Sequence, residues 1–199
     1  MSIQGYKSLV KAESSQVAFT DEVTTTSDNQ NYQITDANKR IIAYESTPTV
    51  KDGGTTTVEE YTISKLSGTI TFDSVDAGRV ITISGSYVVL STVAEANKWS
   101  INSKLTMLNS TVFSKTSKEF KPGLLNATAT IGKFYDITNY FIEAIKNKTV
   151  FIVEFYTDAS NDPYRFFAIV AGDGVSTSID ALIDESVNLQ ITDKMITEV

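Results

Sequence analysis

Residues 80–87 of the chain read VITISGSY, and this stretch decides the fold class of its first half. Apolar side chains occupy alternate positions at Ile81, Ile83 and Tyr87, with hydroxyl-bearing side chains between them. A period of two is typical of a strand that buries one face in an antiparallel sheet. The stretch therefore predicts a half-buried β-strand in a sheet of that kind.

The residues around this strand carry further β signals. We predict additional strands at residues 16–26, 39–45, 61–63, 69–72, 98–108 and 125–133. A polar turn is expected at 27–31, and the sequence Asp52-Gly53-Gly54 predicts a loop or long hairpin over 46–58, since Asp-Gly and Gly-Gly steps supply positive φ angles. A loop is predicted at 115–123, closed by Lys121-Pro122-Gly123.

One helix is predicted, at residues 136–147. Its apolar stripe has helical spacing and consists of Ile137, Tyr140, Phe141, Ala144 and Ile145. Asp136 is a suitable N-cap, and its charge suits the positive end of the helix dipole. Two strands follow at 150–157 and 164–171, joined by a turn at 158–163, and a last strand is predicted at 185–193.

This order of elements predicts a mostly β fold. We expect one domain spanning residues 1–199, an antiparallel β-sandwich or barrel with one flanking helix at about 136–147. The hairpin at about 46–58 is expected to extend from it, together with an N-terminal arm.

Aromatic residues are concentrated in the second half of the chain. An exposed row of them could stack sugars or bases, but a core around the helix and its two following strands is favoured about four to one. Strands 150–157 and 164–171 are apolar on both faces. In so small a protein, a neighbouring subunit could cover the second face, which indicates assembly.

Composition excludes several chemistries. The chain contains neither cysteine nor histidine, so it has no disulfide, no thiolate nucleophile and no imidazole acid, base or metal ligand. Its formal net charge is −7, with 24 acids against 17 bases, and no basic cluster is visible along the sequence. This balance counts against a DNA-binding protein, although it suits a conduit through which DNA slides. No apolar run approaches the ~20 residues of a membrane span.

The carboxylates offer only weak catalytic or metal-binding candidates. Thr157–Asp162 has closely spaced oxygen ligands but lacks the Gly and Glu of a calcium loop, so a polar turn is favoured. Asp173 lies in, and Asp180 just after, a Gly- and Ser-rich stretch, 172–178, that a turn explains. We expect no catalytic residue, no metal site and no cofactor, and therefore no enzyme.

A family resemblance is carried by the order of segments from Ala94 to Lys194. Trp99-Ser100-Ile101 opens a strand, an Ala- and Thr-rich strand runs through Ile131-Gly132-Lys133, and the helix, the two apolar strands and an ending at 186–192 follow. With the hairpin-like 61–83, this layout covers about two thirds of the chain. It resembles the tail tube proteins of long-tailed bacteriophages and is similar to type VI secretion tube proteins.

The resemblance implies a structural virion protein, made in the cytoplasm of a bacterial host. Subunits of this kind form rings, generally hexameric, that stack into a tube for DNA ejection. The implied partners are further copies of the chain, a tape measure protein, a tail terminator and baseplate proteins, and DNA would pass without specific binding. Residues 46–58 are expected to form the contact between rings.

Two alternatives remain at this point. The chain could be another phage component, such as a terminator, adaptor or baseplate subunit, which would form a ring without stacking indefinitely. It could instead be a monomeric glycan-binding β-sandwich, which predicts an exposed aromatic platform.

Overall fold

The computed structural model describes residues 9–57, 59–93, 96–110, 117–134, 140–157, 163–176 and 184–197. These residues form twelve β-strands and one α-helix, α1, at Tyr140–Asn147. The strands are β1 Leu9–Thr26, β2 Asn31–Ile34, β3 Thr49–Asp52, β4 Thr55–Thr56, β5 Tyr61–Ser64, β6 Thr69–Phe72, β7 Ile81–Thr92, β8 Ala96–Asn109, β9 Phe120–Phe134, β10 Phe151–Tyr156, β11 Tyr164–Ser176 and β12 Asp184–Thr197. Within these ranges no helix has the length and apolarity needed to cross a membrane.

The strands form an open antiparallel sheet, and the predicted mostly β class with a single flanking helix is confirmed. Its main path runs β4-β3-β7-β1-β10-β11-β12-β9-β8, and the two end strands are not joined to each other in the described residues. The sheet curls strongly enough to bring Trp99 of β8 onto Phe155 of β10, with ring centroids 4.9 Å apart. The curled interior holds the main core, to which α1 contributes Phe141 and Ala144.

The first half of the chain builds a second layer on the same long strand. Beyond an irregularity between Phe19 and Glu22, where Asp21 has a positive φ of 49°, β1 continues into a small sheet of order β1-β2-β6-β5. Bulges of this type bend a strand and increase its twist, so one strand can serve two layers. Tyr32, Ile70 and Phe72 lie in a separate core between this sheet and the start of β7.

The second apolar face of β10 and β11 is covered by the chain itself. Ile152 and Phe167, both fully buried, contact a cluster that also contains Ile41, Ala43 and Leu66. The expectation that a neighbouring subunit supplies this cover is therefore wrong. The first-half layer folds back over the sheet and buries this apolar face within one copy.

A buried ion pair between β10 and β11 is hydrogen-bonded to the first-half layer. Arg165 Nε donates to Glu154 Oε1 at 2.6 Å, and Arg165 Nη1 donates to the carbonyl oxygen of Leu66 at 2.8 Å. Tyr156 Oη donates to the second oxygen of Glu154 at 2.7 Å. Both charged groups lie beneath the layer that Leu66 belongs to, so this network fixes its position on β10 and β11.

One strand prediction in the first half is wrong. Residues 39–45 do not form a strand; only Ile42 makes an isolated bridge, to Tyr87, and a 3₁₀ turn occupies Ala37–Lys39. The apolar side chains there alternate between two cores, which the sequence pattern cannot distinguish from strand alternation. The polar turn predicted at 27–31 is present over residues 27–30, and Asn31 then begins β2.

Two predicted connections in the second half are strand. Lys121-Pro122-Gly123 lies within β9, where Pro122 pairs with Met107 beside a register shift. Proline is tolerated there because, among the described strands, this part of β9 pairs only with β8, so its missing N–H breaks no second ladder. Residues 172–176 likewise extend β11, paired with β12, rather than forming a turn.

The predicted hairpin, helix and aromatic core agree with the structure where it describes them. A hairpin of β3 and β4 lies within 46–58, and the helix is present from Tyr140, while its expected N-cap Asp136 and Ile137 lie outside the described residues. The core assignment of the aromatics is confirmed for the side chains described as buried: Phe141, Phe151, Phe155, Phe166 and Phe167.

Candidate assembly surfaces

The outer edge of β8 is a long strand edge left open within the described part of the sheet. β8 has 14 residues, pairs with β9 on one side, and is the last strand of the path. Its first half is anchored, because Trp99 Nε1 donates to the carbonyl oxygen of Tyr156 at 3.2 Å. An open edge presents backbone N–H and C=O groups that another strand can pair with.

A shorter open edge lies on β7. Its beginning, Ile81–Ser84, pairs with β3, and Tyr87 bridges to Ile42, but residues 89–92 have a ladder partner only on the β1 side among the described strands. Val89 is 37% exposed in this segment. The sheet therefore offers two edges on which a further strand fits, β8 and the end of β7.

Strand directions decide how such edges can meet. Six antiparallel steps lead from β7 to β8 along the path, so these two strands run in the same direction. Copies related by rotation around a ring axis would join β8 to β7 as parallel neighbours, whereas a two-fold dimer would join β8 to β8. The two modes of assembly therefore use different residues.

The far half of the β8–β9 hairpin, residues 104–110 and 117–126, is here called the arm. In the described residues β9 pairs with β12 only from Thr128 onward, so the arm has no strand ladder to the rest of the sheet, although β12 itself continues to Thr197. Six residues of strand correspond to about 20 Å. Four large apolar residues on the arm have exposed fractions of 45–55%: Leu105, Met107, Leu108 and Phe120. Leu105 and Met107 have the same parity as Trp99 and Ile101 along the strand, but only the latter two contact the core.

Charge is unevenly divided between this hairpin and the rest of the chain. Residues 96–134 contain six of the 17 bases and one of the 24 acids, so this segment has a net charge of +5 and the remainder −12. Lys104, Lys118 and Lys121 are exposed on the arm. The sequence shows no basic run, yet the fold brings these lysines onto one projecting element, so the expectation that basic residues are dispersed is wrong for the arm.

An acidic surface with exposed apolar residues lies at the other end of β7, and we call it the acidic tip. It consists of Asp52, Glu59, Glu60, Asp73, Val75, Asp76, Arg79 and Val80. Val75 and Val80 are 65% and 64% exposed. Arg79 lies beneath the surface, stacked on Phe72, and binds Glu59 and Ser74. Asp52 accepts the N–H of Val80 at 3.0 Å, which ties the β3–β4 hairpin to the same surface.

The carboxylates considered from the sequence do not form a catalytic or metal site in the described residues. No group of three or more potential metal ligands is found there. Asp158–Asp162 and Asp180 lie outside the described residues. Both carboxylate oxygens of Asp173 are shielded from solvent and lack a hydrogen-bond partner in the described part of the chain. Burial raises the pKa of Asp173, and the nearby charge of Glu185 raises it further, while Lys133 opposes this.

Comparison with solved structures finds distant likenesses, including the following two. A chain from the structure titled "Virion of native gene transfer agent (GTA) particle" has a TM-score of 0.46 and 8% identity, covering 55% of this chain and 89% of that one. A chain from the SPP1 tail tube, solved by solid-state NMR and cryo-EM, has a TM-score of 0.40 and 13% identity, covering 55% and 70%. No protein-family model and no curated protein sequence matches the chain.

Neither the arm nor the acidic tip was predicted from the sequence, but the sequence contains a charge pattern that could have indicated the arm. A local charge count over the predicted strands 98–108 and 125–133 and their connection separates a basic hairpin from an acidic remainder. The exposure of Leu105 and Met107 had no such signal, because alternation looks the same in a strand that leaves the sheet.

Proposed function

We propose that this chain is a structural virion protein that assembles with copies of itself into stacked rings, forming a phage tail tube. The observation that carries the proposal is the pair of open edges, β8 and residues 89–92 of β7, which run in the same direction. Such edges join head to tail, and a head-to-tail contact closes into a ring when the rotation allows. Pairing them would also remove edges that otherwise promote aggregation.

The finer features of the proposal come from the sequence resemblance. They are six subunits per ring, a tape measure protein, a terminator and a baseplate as partners, and location in the tail of the virion. The net charge of −7 supports passage of DNA without specific binding, because an acidic wall offers phosphates no partner. Residues 46–58 are proposed to lie at the contact between rings.

The alternatives have less support. A glycan-binding monomer requires an aromatic platform, and the described phenylalanine side chains from Phe141 to Phe167 are buried in the core, which leaves Phe120 on the arm as a single exposed ring among the described phenylalanines of the second half. A terminator, adaptor or baseplate subunit would use the same ring contact, and only indefinite stacking distinguishes the tube from it.

Cysteine cross-linking tests the ring contact, because the natural chain has no cysteine. We would combine Ser91→Cys in β7 with Ser100→Cys, Asn102→Cys or Lys104→Cys in β8, all at exposed positions. Oxidation of at least one double variant at high concentration should give a ladder of linked subunits that ends at the ring number.

Single-cysteine variants are the matched controls. A β8 variant alone should give no linked product, and an equimolar mixture with Ser91→Cys should give linked dimers. Efficient dimers from a β8 variant alone would indicate a two-fold β8–β8 contact and would contradict the ring. Absence of linkage across the whole set would contradict an edge-to-edge contact.

A further inference from the structure

We infer that the arm of one copy docks on the acidic tip of the next copy, and that this contact joins rings along the tube. The inference rests on the self-assembly proposed above and adds to it the two surfaces and the force that holds them. It starts from the division of charge, with +5 on residues 96–134 and −12 on all others. A chain divided in this way is electrostatically complementary to itself.

The arm has the composition of a docking element. Its exposed leucines, methionine and phenylalanine give the apolar area that binding requires, and Lys104, Lys118 and Lys121 are exposed on the same hairpin against one exposed acid, Glu119. Exposed apolar groups concentrated on a projecting hairpin mark an interaction site rather than ordinary surface. Phe120 and Met107 are of the types that are enriched at interfaces.

The acidic tip has the matching composition. Five carboxylates surround Val75 and Val80, and the one cation among them, Arg79, has a side chain only 3% exposed. That guanidinium pairs with Glu59 and lies 3.7 Å from Asp76, so it stiffens the surface and offsets part of the charge, but Asp52, Glu60 and Asp73 have no ion pair with it. Glu60 and Asp73 are exposed and have no ion-pair partner among the described residues, which leaves them available to an incoming lysine.

The topology places these surfaces at opposite ends of the strand direction. Val80 of the acidic tip directly precedes the first residue of β7, whereas the arm follows the course of β8 to its last residue. Because β7 and β8 run in the same direction, one surface lies where the strands begin and the other where they end. A contact between them repeats from copy to copy along the strands, and it leaves the β8 and β7 edges free for the ring.

A second copy fits the arm better than another anionic partner. Nucleic acid or an anionic membrane would attract the lysines equally, but both would also meet a chain with a net charge of −7. The acidic tip supplies negative charge and exposed valines together, which a phosphate backbone does not.

Charge reversal with rescue tests the contact. The arm variant is Lys118→Glu with Lys121→Glu, and the tip variant is Glu60→Lys with Asp73→Lys. These positions are exposed, and the acids bound to Arg79 or to backbone are left intact. The control, Lys146→Glu with Lys148→Glu beside α1, changes the net charge as much as the arm variant does. Thermal unfolding of each variant checks folding.

Sedimentation velocity at about 50 mM salt measures association. Each reversed variant alone should associate at least about tenfold more weakly than the natural chain, since like charges then face each other. An equimolar mixture of the two should recover association, because each variant carries the surface that complements the other. The control should behave as the natural chain, and about 500 mM salt should weaken natural association.

Other outcomes separate the two proposals. If the natural chain assembles and both reversed variants assemble equally well, the arm contact is wrong while self-assembly stands. If the arm variant keeps natural self-association but loses binding to duplex DNA or anionic vesicles, the arm serves that partner instead. If the natural chain shows no association at any concentration or salt, self-assembly fails and the arm contact with it.

Discussion

Replacing Phe167 with alanine tests whether one copy covers the second face of its own sheet. Phe167 is fully buried, and its ring meets Tyr44 edge-on with centroids 5.1 Å apart. The residues around it, Ile41, Ala43 and Leu66, belong to the first-half layer of the same copy. The side chain is therefore enclosed in a dilute monomer, and its removal should destabilise that monomer.

The expected loss follows from the burial. Truncating a buried phenylalanine typically costs about 3–5 kcal/mol, from lost transfer energy and the cavity that remains. For a chain of 199 residues, each kcal/mol lowers the melting temperature by roughly 2–4 °C, so we expect a fall of roughly 6–20 °C. Thermal and urea unfolding, at a concentration where sedimentation shows monomer, give the measurement.

The chain supplies a matched control in Phe120→Ala. Phe120 loses the same atoms but is 53% exposed on the arm, so its truncation should change stability by no more than about 0.5 kcal/mol. If Phe167→Ala unfolds like the natural monomer and only assembly suffers, the face is covered by a neighbour, and the intramolecular account is wrong.

Three further substitutions follow from single contacts. Glu154→Gln should cost about 3–5 kcal/mol in urea unfolding, because it leaves a buried guanidinium without its partner, whereas Glu143→Gln on the exposed face of α1 should be neutral. Equal effects would contradict the buried network. Gly68→Ala should lower the melting temperature clearly and Gly172→Ala should not, since Gly68 has φ +64° and its added Cβ would lie 2.6 Å from a backbone oxygen. Similar melting temperatures for the two variants would refute this reading of the turn. Asp173→Asn should raise the melting temperature at about pH 7 but not at about pH 4. The raised pKa of the Asp173 carboxyl makes the natural fold lose stability as the pH rises from about 4 towards 7. No change at either pH would contradict the burial of this carboxylate.

The sequence predicted correctly those strands in which apolar side chains on one face contact a single core and polar side chains occupy the other face. Residues 81–87 and 185–193 lie in β7 and β12, and their buried positions match the predicted parity, at Ile81 and Ile83 and at Val187 and Leu189. In both cases one face contacts a core and the other is more exposed. A period of two is then sufficient evidence for a strand.

Prediction from the sequence failed where neighbouring residues enter two different cores and where strand order determines which edges are open. Residues 39–45 alternate because Ile41 and Ala43 enter one core and Ile42 enters another, and no local pattern distinguishes this from a strand. The apolar second face of β10 suggested a neighbouring subunit because the fold-back of Leu66 is a long-range event. The open edges of β7 and β8 follow from strand order, which a single sequence does not encode locally.

The most direct test of self-assembly is negative-stain electron microscopy of the purified chain at high concentration and low salt, beside a dilute sample. The proposed function predicts rings or hollow tubes of uniform diameter in the concentrated sample. Particles of uniformly monomer size at every concentration and salt would contradict it.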